Sequence, residues 1–437
     1  MKTVTVVGAG LAGCEAALQI ARRGVPVRLV EMRPGKATEA HETGDVAELV
    51  CSNSLKSDEP GNAHGLLKAE LRLLGCELLA CAERARVPGG KALVVDRKAF
   101  SAAVAERLAA AGIRVERGEV AELPEGITVI ATGPLTASAL ADALGRAVGA
   151  ERLFFYDAVA PIVLAESLDR DKVFAASRYG VGSDYLNCAL SEAEYDRLVD
   201  ELVAAELHPL HDFESAGFFE GCLPVEEMAR RGRMVLAFGP LKPVGLVDPR
   251  TGRRPFAVVQ LRQENATGTM YNLVGFQTRL KHGEQKRVFG LIPGLERAEF
   301  ARFGSIHRNT FLDGPKTLLP TLQTRVRADL MVAGQLTGVE GYVESIAAGL
   351  VAGANAARLA LGQEPVALPP ETMVGALLAY VAGGRGAIND SFQPMNANFG
   401  LLPAIEGRMR GRDRKAAQAA RALAAMADAG RRLNPGD

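Results

Sequence analysis

The sequence contains no apolar run long enough to span a lipid bilayer, and its formal net charge is zero. Of its 437 residues, 51 are Lys or Arg and 51 are Asp or Glu. A membrane-spanning helix needs about 20 consecutive apolar residues, so we expect none and no membrane partner. Zero net charge gives no overall attraction to nucleic acid, and any such contact requires a local basic face. Residues 1–7 already form a predicted strand, which leaves no room for a signal peptide, and we expect a cytoplasmic protein.

Metal-ligand patterns are also missing. The six cysteines show neither a CxxC pair nor zinc-ligand spacing, and a reducing compartment makes disulfides unexpected. The one close histidine pair, His208 and His211, is interrupted by Pro209, so we expect no metal site. Cys14, Cys76 and Cys81 fall in helical patterns, whereas Cys51 and Cys222 sit in different surroundings.

The first thirty-odd residues predict a strand, a glycine turn, a helix and a second strand. An apolar β-branched run over 2–7 leads directly into the turn, helical composition follows over 14–23, and the second strand ends at Glu31. This order is typical of the dinucleotide-binding βαβ unit. The cofactor-binding residues predicted in the turn are Gly8, Ala9, Gly10, Leu11, Ala12 and Gly13.

Each glycine of the turn has its own predicted role. Gly8 permits the tight turn, Gly10 lets the backbone approach a pyrophosphate at the helix N-terminus, and Gly13 lets helix and strand pack closely. Glu31 is placed to accept hydrogen bonds from a ribose. We therefore predict a bound FAD or NAD; the alternative is a glycine-rich turn in an ordinary α/β protein.

Two later segments favour FAD as the tightly held cofactor. A short strand ends at Thr132 and Gly133, as in flavoproteins where such a turn closes over the cofactor. A buried strand over 329–333 then enters a second glycine turn, with Gly334 and Gly341, before a helix predicted over 343–361. Its N-terminus would face the flavin. Cofactor-facing turns near both ends of the chain imply a discontinuous nucleotide domain.

The predicted fold class is α/β, with a Rossmann-like, glutathione-reductase-like FAD-binding domain and an inserted mixed α+β domain. We assign residues 1–175 and 305–437 to the FAD-binding domain and 176–304 to the insertion. Leucines over 65–84 predict one amphipathic helix in the first domain. In the insertion, a capped helix over 191–205 precedes strands separated by turns.

Basic residues concentrate near the C-terminus and suggest a phosphate-binding face. Eight bases stand against three acids, Glu406, Asp413 and Asp428, over 406–432. A solvated helix surface is the equally open alternative. The bases are Arg408, Arg410, Arg412, Arg414, Lys415, Arg421, Arg431 and Arg432, and the first five are the candidate nucleic-acid-binding residues.

Several motifs together resemble one family. They are Cys51–Lys56 (CSNSLK), Phe219–Met228 (FEGCLPVEEM) and Gly334–Ser345 (GQLTGVEGYVES), with further matches over 238–246, 271–277 and 392–400. The chain resembles the folate- and FAD-dependent tRNA (uracil-5-)-methyltransferases, which make ribothymidine in the T loop. It is also similar to the larger glucose-inhibited-division flavoproteins, which modify wobble uridines. One departure is His282, where the family pattern suggests a tryptophan.

The resemblance implies FAD as cofactor, with methylenetetrahydrofolate and NAD(P)H as cosubstrates, tRNA as substrate and no obligate protein partner. A thiolate that adds to C6 of uracil would activate C5, and the flavin explains the two electrons needed to turn a methylene into a methyl. We assign Cys222 as the nucleophile and Cys51 as its flavin-side partner, with the reverse open. A nearby lysine, Lys56, would favour a thiolate at Cys51. Tyr342 is a candidate for stacking on the base, or simply for packing at a helix start.

Three alternatives remain open at this stage. One is an aminomethyl-type wobble-uridine modification that needs a GTPase partner. Another is a small-molecule FAD oxidoreductase without an RNA role. The third, a non-catalytic FAD- or NAD-binding regulator, leaves Cys51 and Cys222 unexplained.

Overall fold

The computed structural model describes residues 2–149, 152–180, 182–209, 223–384, 392–405, 407 and 409–433. Of the predicted site residues, Cys222 and Arg408 lie outside the described residues, as does His211 of the histidine pair. Within the described ranges, no helix combines the length and apolar character needed to cross a membrane.

The strands are β1 (Val4–Val7), β2 (Val27–Glu31), β3 (Ser54–Ser57), β4 (Arg86–Val87), β5 (Ala92–Val95), β6 (Val115–Arg117), β7 (Thr128–Ile130), β8 (Arg152–Val159), β9 (Ile162–Leu164), β10 (Val173–Ala175), β11 (Tyr185–Leu190), β12 (Ala257–Gln263), β13 (Met270–Leu273), β14 (Phe300–Arg302), β15 (Ser305–Leu312) and β16 (Leu330–Val332).

The helices are α1 (Leu11–Arg22), α2 (Ala63–Leu73), α3 (Glu77–Arg84), α4 (Arg97–Ala110), α5 (Ser138–Val148), α6 (Glu192–Ala204), α7 (Val225–Arg231), α8 (Val235–Phe238), α9 (His282–Phe289), α10 (Gly314–Thr317), α11 (Tyr342–Ala360), α12 (Met373–Val381) and α13 (Gly411–Leu433).

A five-stranded parallel sheet forms the first core, in the order β16-β7-β1-β2-β6. Its central strand β1 is fully buried, as expected for an apolar, β-branched strand covered on both faces. Strand β16, which lies more than 300 residues after β1 in the sequence, pairs with β7 in this same sheet. The predicted α/β fold class is confirmed, and both ends of the described chain contribute to this core.

Helix α1 packs directly on α11 through close backbone contact. A Cβ atom added at Gly349 would lie 2.2 Å from the Ala12 carbonyl oxygen, and one at Gly353 would lie 2.5 Å from that of Ala16. Gly13 is equally constrained, because its Cβ would lie 1.8 Å from the carbonyl oxygen of Gly8. Glycine at these positions allows the two helices and the first turn to come together.

The second core is a six-stranded antiparallel sheet, ordered β10-β11-β12-β13-β9-β14. Buried side chains of α6, α7 and α9 belong to the same apolar cluster as its strands. Ser191 and Glu194 form a capping box at the start of α6, which confirms the helix predicted there. Strands β9 and β10 precede residue 176, so the sheet begins earlier in the chain than the assigned insertion. The domain limits stay a prediction.

The single helix predicted over 65–84 was wrong, because the chain breaks between α2 and α3. Gly75 adopts φ +72°, and the buried Glu15 of α1 accepts hydrogen bonds from the amides of Glu77 (3.2 Å) and Leu78 (2.8 Å). A carboxylate at a helix N-terminus satisfies free amides there. This long-range cap starts a new helix at a point where the leucine pattern by itself predicts that the first helix continues.

We expect the substitution Gly349→Ala to lower the free energy of unfolding by about 1–3 kcal/mol, because the added methyl overlaps backbone of α1. Denaturant unfolding measures the change. Gly283→Ala is the matched control, since Gly283 also lies in a helix but has no atom within 4 Å of its Cβ position. Equal stability of Gly349→Ala and wild type would contradict the packing argument.

Candidate active site

The turns that follow β1, β2, β7 and β16 lie at one edge of the parallel sheet and line a cleft of about 330 Å³. Ligands of open α/β sheets bind outside these carboxyl ends. Of the predicted site residues, those lining the cleft are Gly8, Gly10, Leu11, Ala12, Glu31, Cys51, Thr132, Gly133, Gly334, Gly341 and Tyr342. Ala9 and Gly13 do not line it. The Ala9 amide donates to Glu31, and Gly13 packs against the carbonyl of Gly8.

The first glycine turn leaves open space above the N-terminus of α1. Gly10 is the residue that caps this helix, and nothing lies within 4 Å of its Cβ position. Gly8 adopts φ +100°, and a Cβ there would lie 2.5 Å from the Ala131 carbonyl oxygen, so the turn lies against the Thr132–Gly133 turn. The free amides and the space above them fit an anionic phosphate.

Glu31 is held as a carboxylate at the end of β2. One of its oxygens accepts from the Ala9 amide (2.7 Å), and the other accepts from the amide (2.9 Å) and Nε (3.0 Å) of Arg33. Burial by itself would raise the pKa of Glu31, but Arg33 and these amides hold it below its usual value. An ionised, oriented carboxylate with lone pairs to spare fits a ribose diol.

Cys51 meets Tyr342 at the centre of the cleft. The phenolic oxygen of Tyr342 accepts hydrogen bonds from the amides of Cys51 (2.8 Å) and Ser52 (3.1 Å) and lies 3.0 Å from the Cys51 Sγ. Burial, with a smaller contribution from Cys51, raises the pKa of Tyr342 well above its usual value. Since two amides occupy its lone pairs, the retained phenol proton is directed to the sulfur. The predicted stacking role of Tyr342 stays a prediction.

Two arginines that sequence reasoning missed hold the loop around Cys51. Arg97 of α4 donates to the carbonyls of Leu49 and Val50 (3.3 Å to the latter) and pairs with Glu264 at 2.8 Å. It lies close enough for its charge to interact with both Cys51 and Tyr342.

Arg262 reaches the same loop from β12 of the second sheet. It donates to the side chains of Asn53 (2.9 Å), Ser52 (2.8 Å) and Asn272 (3.2 Å). All three partners are neutral, and Arg262 is 8% exposed and lines the cleft. A nearly buried cation with neutral partners places positive potential where an anion can be stabilised.

Glu344 and Lys56 form a charged corner of the cleft. One Glu344 oxygen accepts from the Ala397 amide and contacts the His64 Nδ1, each at 3.1 Å. Its other oxygen is buried without a hydrogen-bond partner in the described part of the chain. Lys56, in the left-handed conformation at φ +60°, helps hold the pKa of Glu344 below its usual value, against burial. The orphaned oxygen fits an N–H donor of a bound heterocycle.

Among the cysteines that the structure describes, Cys51 is partly exposed and the others are buried. Burial raises the pKa of Cys81 to about 11 and those of Cys14, Cys76 and Cys188 further. These thiols are therefore unreactive at neutral pH. The difference favours a chemical role for Cys51 over that of an inconsequential loop cysteine.

The basic N-terminal end of α13 lies near the cleft. Ala397 bonds to Glu344 on the cleft wall, and two residues further Phe399 carries the Lys415 ammonium over its ring, 5.7 Å from the centroid. Arg410 and Arg414 line a surface groove beside it, and Arg412 is exposed. Two other bases are engaged elsewhere: Arg421 donates to the carbonyls of Pro403 and Ala404 and Arg431 pairs with Asp428.

His282, the departure from the family pattern, is itself part of an aromatic stack. Its ring lies parallel to that of Phe303, with centroids 4.4 Å apart and an interplanar angle of 11°. Phe303 in turn stacks on Phe300 at 4.9 Å. An imidazole can therefore stack at this position in place of an indole.

Comparison with known proteins agrees across nearly the whole chain. The model of the family described as glucose inhibited division protein A matches residues 3–364. Proteins named methylenetetrahydrofolate--tRNA-(uracil-5-)-methyltransferase TrmFO are 59% identical in Desulforudis audaxviator and 57% identical in Heliobacterium modesticaldum, over 97% of both chains in each case. The one from Geobacter sulfurreducens is 57% identical over 97% of this chain and 98% of its own.

A solved structure shows the same fold. GidA from Aquifex aeolicus, in its form II crystal, superposes with a TM-score of 0.73 over 99% of this chain and 73% of its own, at 17% identity. At that identity the likeness concerns the fold alone.

We expect Tyr342→Phe to slow alkylation of Cys51 by iodoacetamide at neutral pH about tenfold, because a hydrogen bond to a charged group is worth about 1.5–3 kcal/mol. Mass spectrometry of the Cys51 peptide measures the rate. Tyr380→Phe is the control, since the Tyr380 hydroxyl donates to the Gln393 carbonyl and not to a thiol. An unchanged rate in Tyr342→Phe would show that the phenol proton does not stabilise the thiolate.

Proposed function

The chain belongs to the glucose inhibited division protein A family and, within it, to the methylenetetrahydrofolate–tRNA-(uracil-5-)-methyltransferases, and we propose that its cleft makes ribothymidine in the tRNA T loop with Cys51 and Cys222 as reactive thiols. The protein is a methylenetetrahydrofolate-dependent tRNA methyltransferase that acts on C5 of uracil, with FAD as its cofactor. The T loop, the roles of the thiols and NAD(P)H as reductant are the proposed parts.

The residues of the cleft fit FAD. The open N-terminus of α1 would hold the pyrophosphate, Glu31 the adenosine ribose, and the turns at Thr132–Gly133 and Gly334–Gly341 the remainder. When bound, FAD supplies the two electrons that a methylene needs to become a methyl, and NAD(P)H would replenish them. Glu344, whose buried Oε2 has no hydrogen-bond partner among the described residues, and Lys56 both line this cleft.

The carbon at position 5 of uracil is a weak nucleophile until a thiolate adds to C6. The new S–C6 bond pushes an electron pair towards C5 and O4, and C5 then bonds to the donor carbon. Loss of the C5 proton to a base and cleavage of the bond between the donor carbon and its carrier nitrogen leave a methylene on C5. Addition of a hydride equivalent to that methylene, with expulsion of the thiolate, completes the methyl group and restores the ring. Arg262 would stabilise the negative charge on O4, because its guanidinium has neutral partners and lines the cleft.

We assign the attack on C6 to Cys222 and the flavin-side role to Cys51. Cys51 hydrogen-bonds with Tyr342, the residue after Gly341 in the second glycine turn. Three residues after Cys222, the Val225 amide donates to the carbonyl of Gln277 (2.7 Å), a residue that lines the cleft. Three residues span at most about 11 Å, so the chain length allows Cys222 to serve this cleft.

The substrate RNA would lie across the basic end of α13. Four of these basic residues have no ion-pair partner within the described ranges: Arg410, Arg412, Arg414 and Lys415. The Lys415 ammonium lies over the ring of Phe399, and Phe399 is two residues after Ala397, whose amide donates to Glu344 on the cleft wall. Phosphate contacts of this kind position a nucleic acid without reading its sequence. Arg408 belongs to the same proposed set.

The other interpretations of the sequence lose support. The relatives that carry the methyltransferase name match 97% of both chains at 57–59% identity, whereas the larger GidA from Aquifex aeolicus is 17% identical. A small-molecule oxidoreductase or a non-catalytic regulator would give no reason for the partly exposed thiol of Cys51 and the arginines that hold its loop.

Methylation of an unmodified tRNA transcript tests the function directly. With methylenetetrahydrofolate and NADPH, we expect wild type to form ribothymidine in the T loop and Cys51→Ala and Cys222→Ala to form none. Cys188→Ala, which removes a fully buried thiol, should retain activity. With a 5-fluorouridine transcript, Cys51→Ala should still form a covalent adduct and Cys222→Ala should not. NADPH oxidation without methyl transfer by wild type would refute the proposal, and the opposite adduct pattern would reverse the roles.

Removal of one basic side chain tests the RNA face. We expect Arg414→Ala to weaken tRNA binding and to reduce the slope of log affinity against log salt by about one, since one phosphate contact is lost. Flavin content should not change. Arg431→Ala, at the other end of α13 and already paired with Asp428, is the control. Equal salt slopes for Arg414→Ala and wild type would remove Arg414 from the interface.

A further inference from the structure

The turn between β10 and β11 and the short helix α8 expose apolar side chains to solvent. Phe238 is 78% exposed, Tyr179 is 60% exposed and Met234 is 41% exposed. The two segments are joined, because Arg178 donates to the Pro240 carbonyl at 2.6 Å. We name Tyr179, Met234 and Phe238, with the cations described next, the rim patch. Exposed aromatic rings of this size mark interaction sites more often than ordinary surface.

Unpaired cations accompany these rings. Met234, Phe238, Lys242 and Arg254 line one surface groove, with Glu192 as its one carboxylate. Neither Lys242 nor Arg254 forms an ion pair with any residue that the structure describes. An apolar protein partner would leave these charges unmatched, whereas single-stranded nucleic acid offers both flat bases and phosphates.

One packing contact connects the rim patch to the wall of the cleft. Pro240, which follows Phe238 by two residues, packs against Gly275: a Cβ added there would lie 2.5 Å from the Pro240 Cβ. Gly275 is two residues before Gln277, which lines the cleft. Two residues span at most about 7 Å, so nucleotides next to one that occupies the cleft are within reach of the patch.

The backbone also holds Tyr179 outward. Its φ of +66° lies in the left-handed region, which a tyrosine rarely adopts. Gly245 backs onto it, since a Cβ there would lie 2.7 Å from the Tyr179 amide nitrogen. Strained conformations persist where the surrounding structure imposes them, and here the consequence is a ring presented to solvent.

We propose that Phe238 and Tyr179 stack on the unpaired nucleotides that flank the target uridine, while Lys242 and Arg254 contact their phosphates. The proposal rests on the tRNA-methyltransferase function above. A base that leaves a folded loop to reach the cleft deprives its neighbours of stacking partners. Aromatic side chains on the rim would replace those partners and so stabilise the open loop.

Direct RNA binding tests the patch without relying on catalysis. In fluorescence anisotropy with a labelled T-arm minihelix, we expect Phe238→Ala to weaken binding about tenfold, as for loss of one stacked base. Phe238→Trp should restore it. Val326→Ala is the control, because Val326 is 62% exposed in the loop before β16, outside the patch. Unchanged affinity in Phe238→Ala would overturn the proposal.

Salt dependence separates stacking from charge. We expect the double variant Lys242→Ala/Arg254→Ala to reduce the slope of log affinity against log salt by about two. The single variant Phe238→Ala should leave this slope unchanged. Lys172→Ala, whose ammonium pairs with Glu296, is the control and should keep the wild-type slope. A wild-type slope in the double variant would exclude the phosphate contacts.

Full-length tRNA and the minihelix should show the same fold loss in Phe238→Ala, because the flanking nucleotides are common to both. Loss with full-length tRNA alone would place the contact elsewhere on the RNA and contradict the proposal. Failure of wild type to methylate, with normal patch-dependent binding, would count against the function and not against the patch.

Discussion

Helices α1 and α11 approach so closely that carbonyl oxygens of α1 occupy the space of a side chain at Gly349 and Gly353. This contact joins the two ends of the nucleotide-binding core. It places the turn after β1 and the turn after β16 over the same sheet edge, although the two segments lie more than 300 residues apart. The N-termini of two helices then face one cleft, and their free amides and aligned dipoles can act on one bound cofactor.

The loop that carries Cys51 depends in turn on both cores. Tyr342 holds it from α11, Arg97 from α4 and Arg262 from the second sheet. A cysteine on an unsupported loop would sample many positions, whereas here the backbone amides, the sulfur and the flanking carbonyls all have partners. The two guanidinium groups add positive potential in a water-poor site, where charge acts over longer distances than at the surface. The same side chains thus fix the position of Cys51 and set the electrostatic potential around it.

RNA recognition in a chain without net charge requires that charge be arranged locally. The end of α13 places beside the cleft several basic side chains that have no ion-pair partner among the residues described, while other arginines of the same helix bond to neighbouring carbonyls and carboxylates. The rim patch lies on the second sheet and combines rings with cations. Contacts of these two kinds differ in function: phosphate contacts orient the whole molecule, whereas stacking holds individual bases that have left their helix.

The sequence by itself determined the local features. The GxGxxG turn between two strands, Glu31 at a strand end, the capped helix after Ser191 and the helix after Gly341 are all set by short-range backbone preferences and periodicity, and the structure places them as predicted. The family motifs identified the chemistry. Only the tertiary structure decided which side chains meet.

Arg97 and Arg262 carry no local signal of a site, because their roles come from packing between elements distant in the chain. The break at Gly75 likewise depends on Glu15, which belongs to another helix and caps α3 across the core. Tyr342 was singled out by its motif, but its hydrogen bonds to Cys51 required the fold. Short-range rules fix dihedral angles, whereas the approach of side chains hundreds of residues apart depends on how the whole core packs.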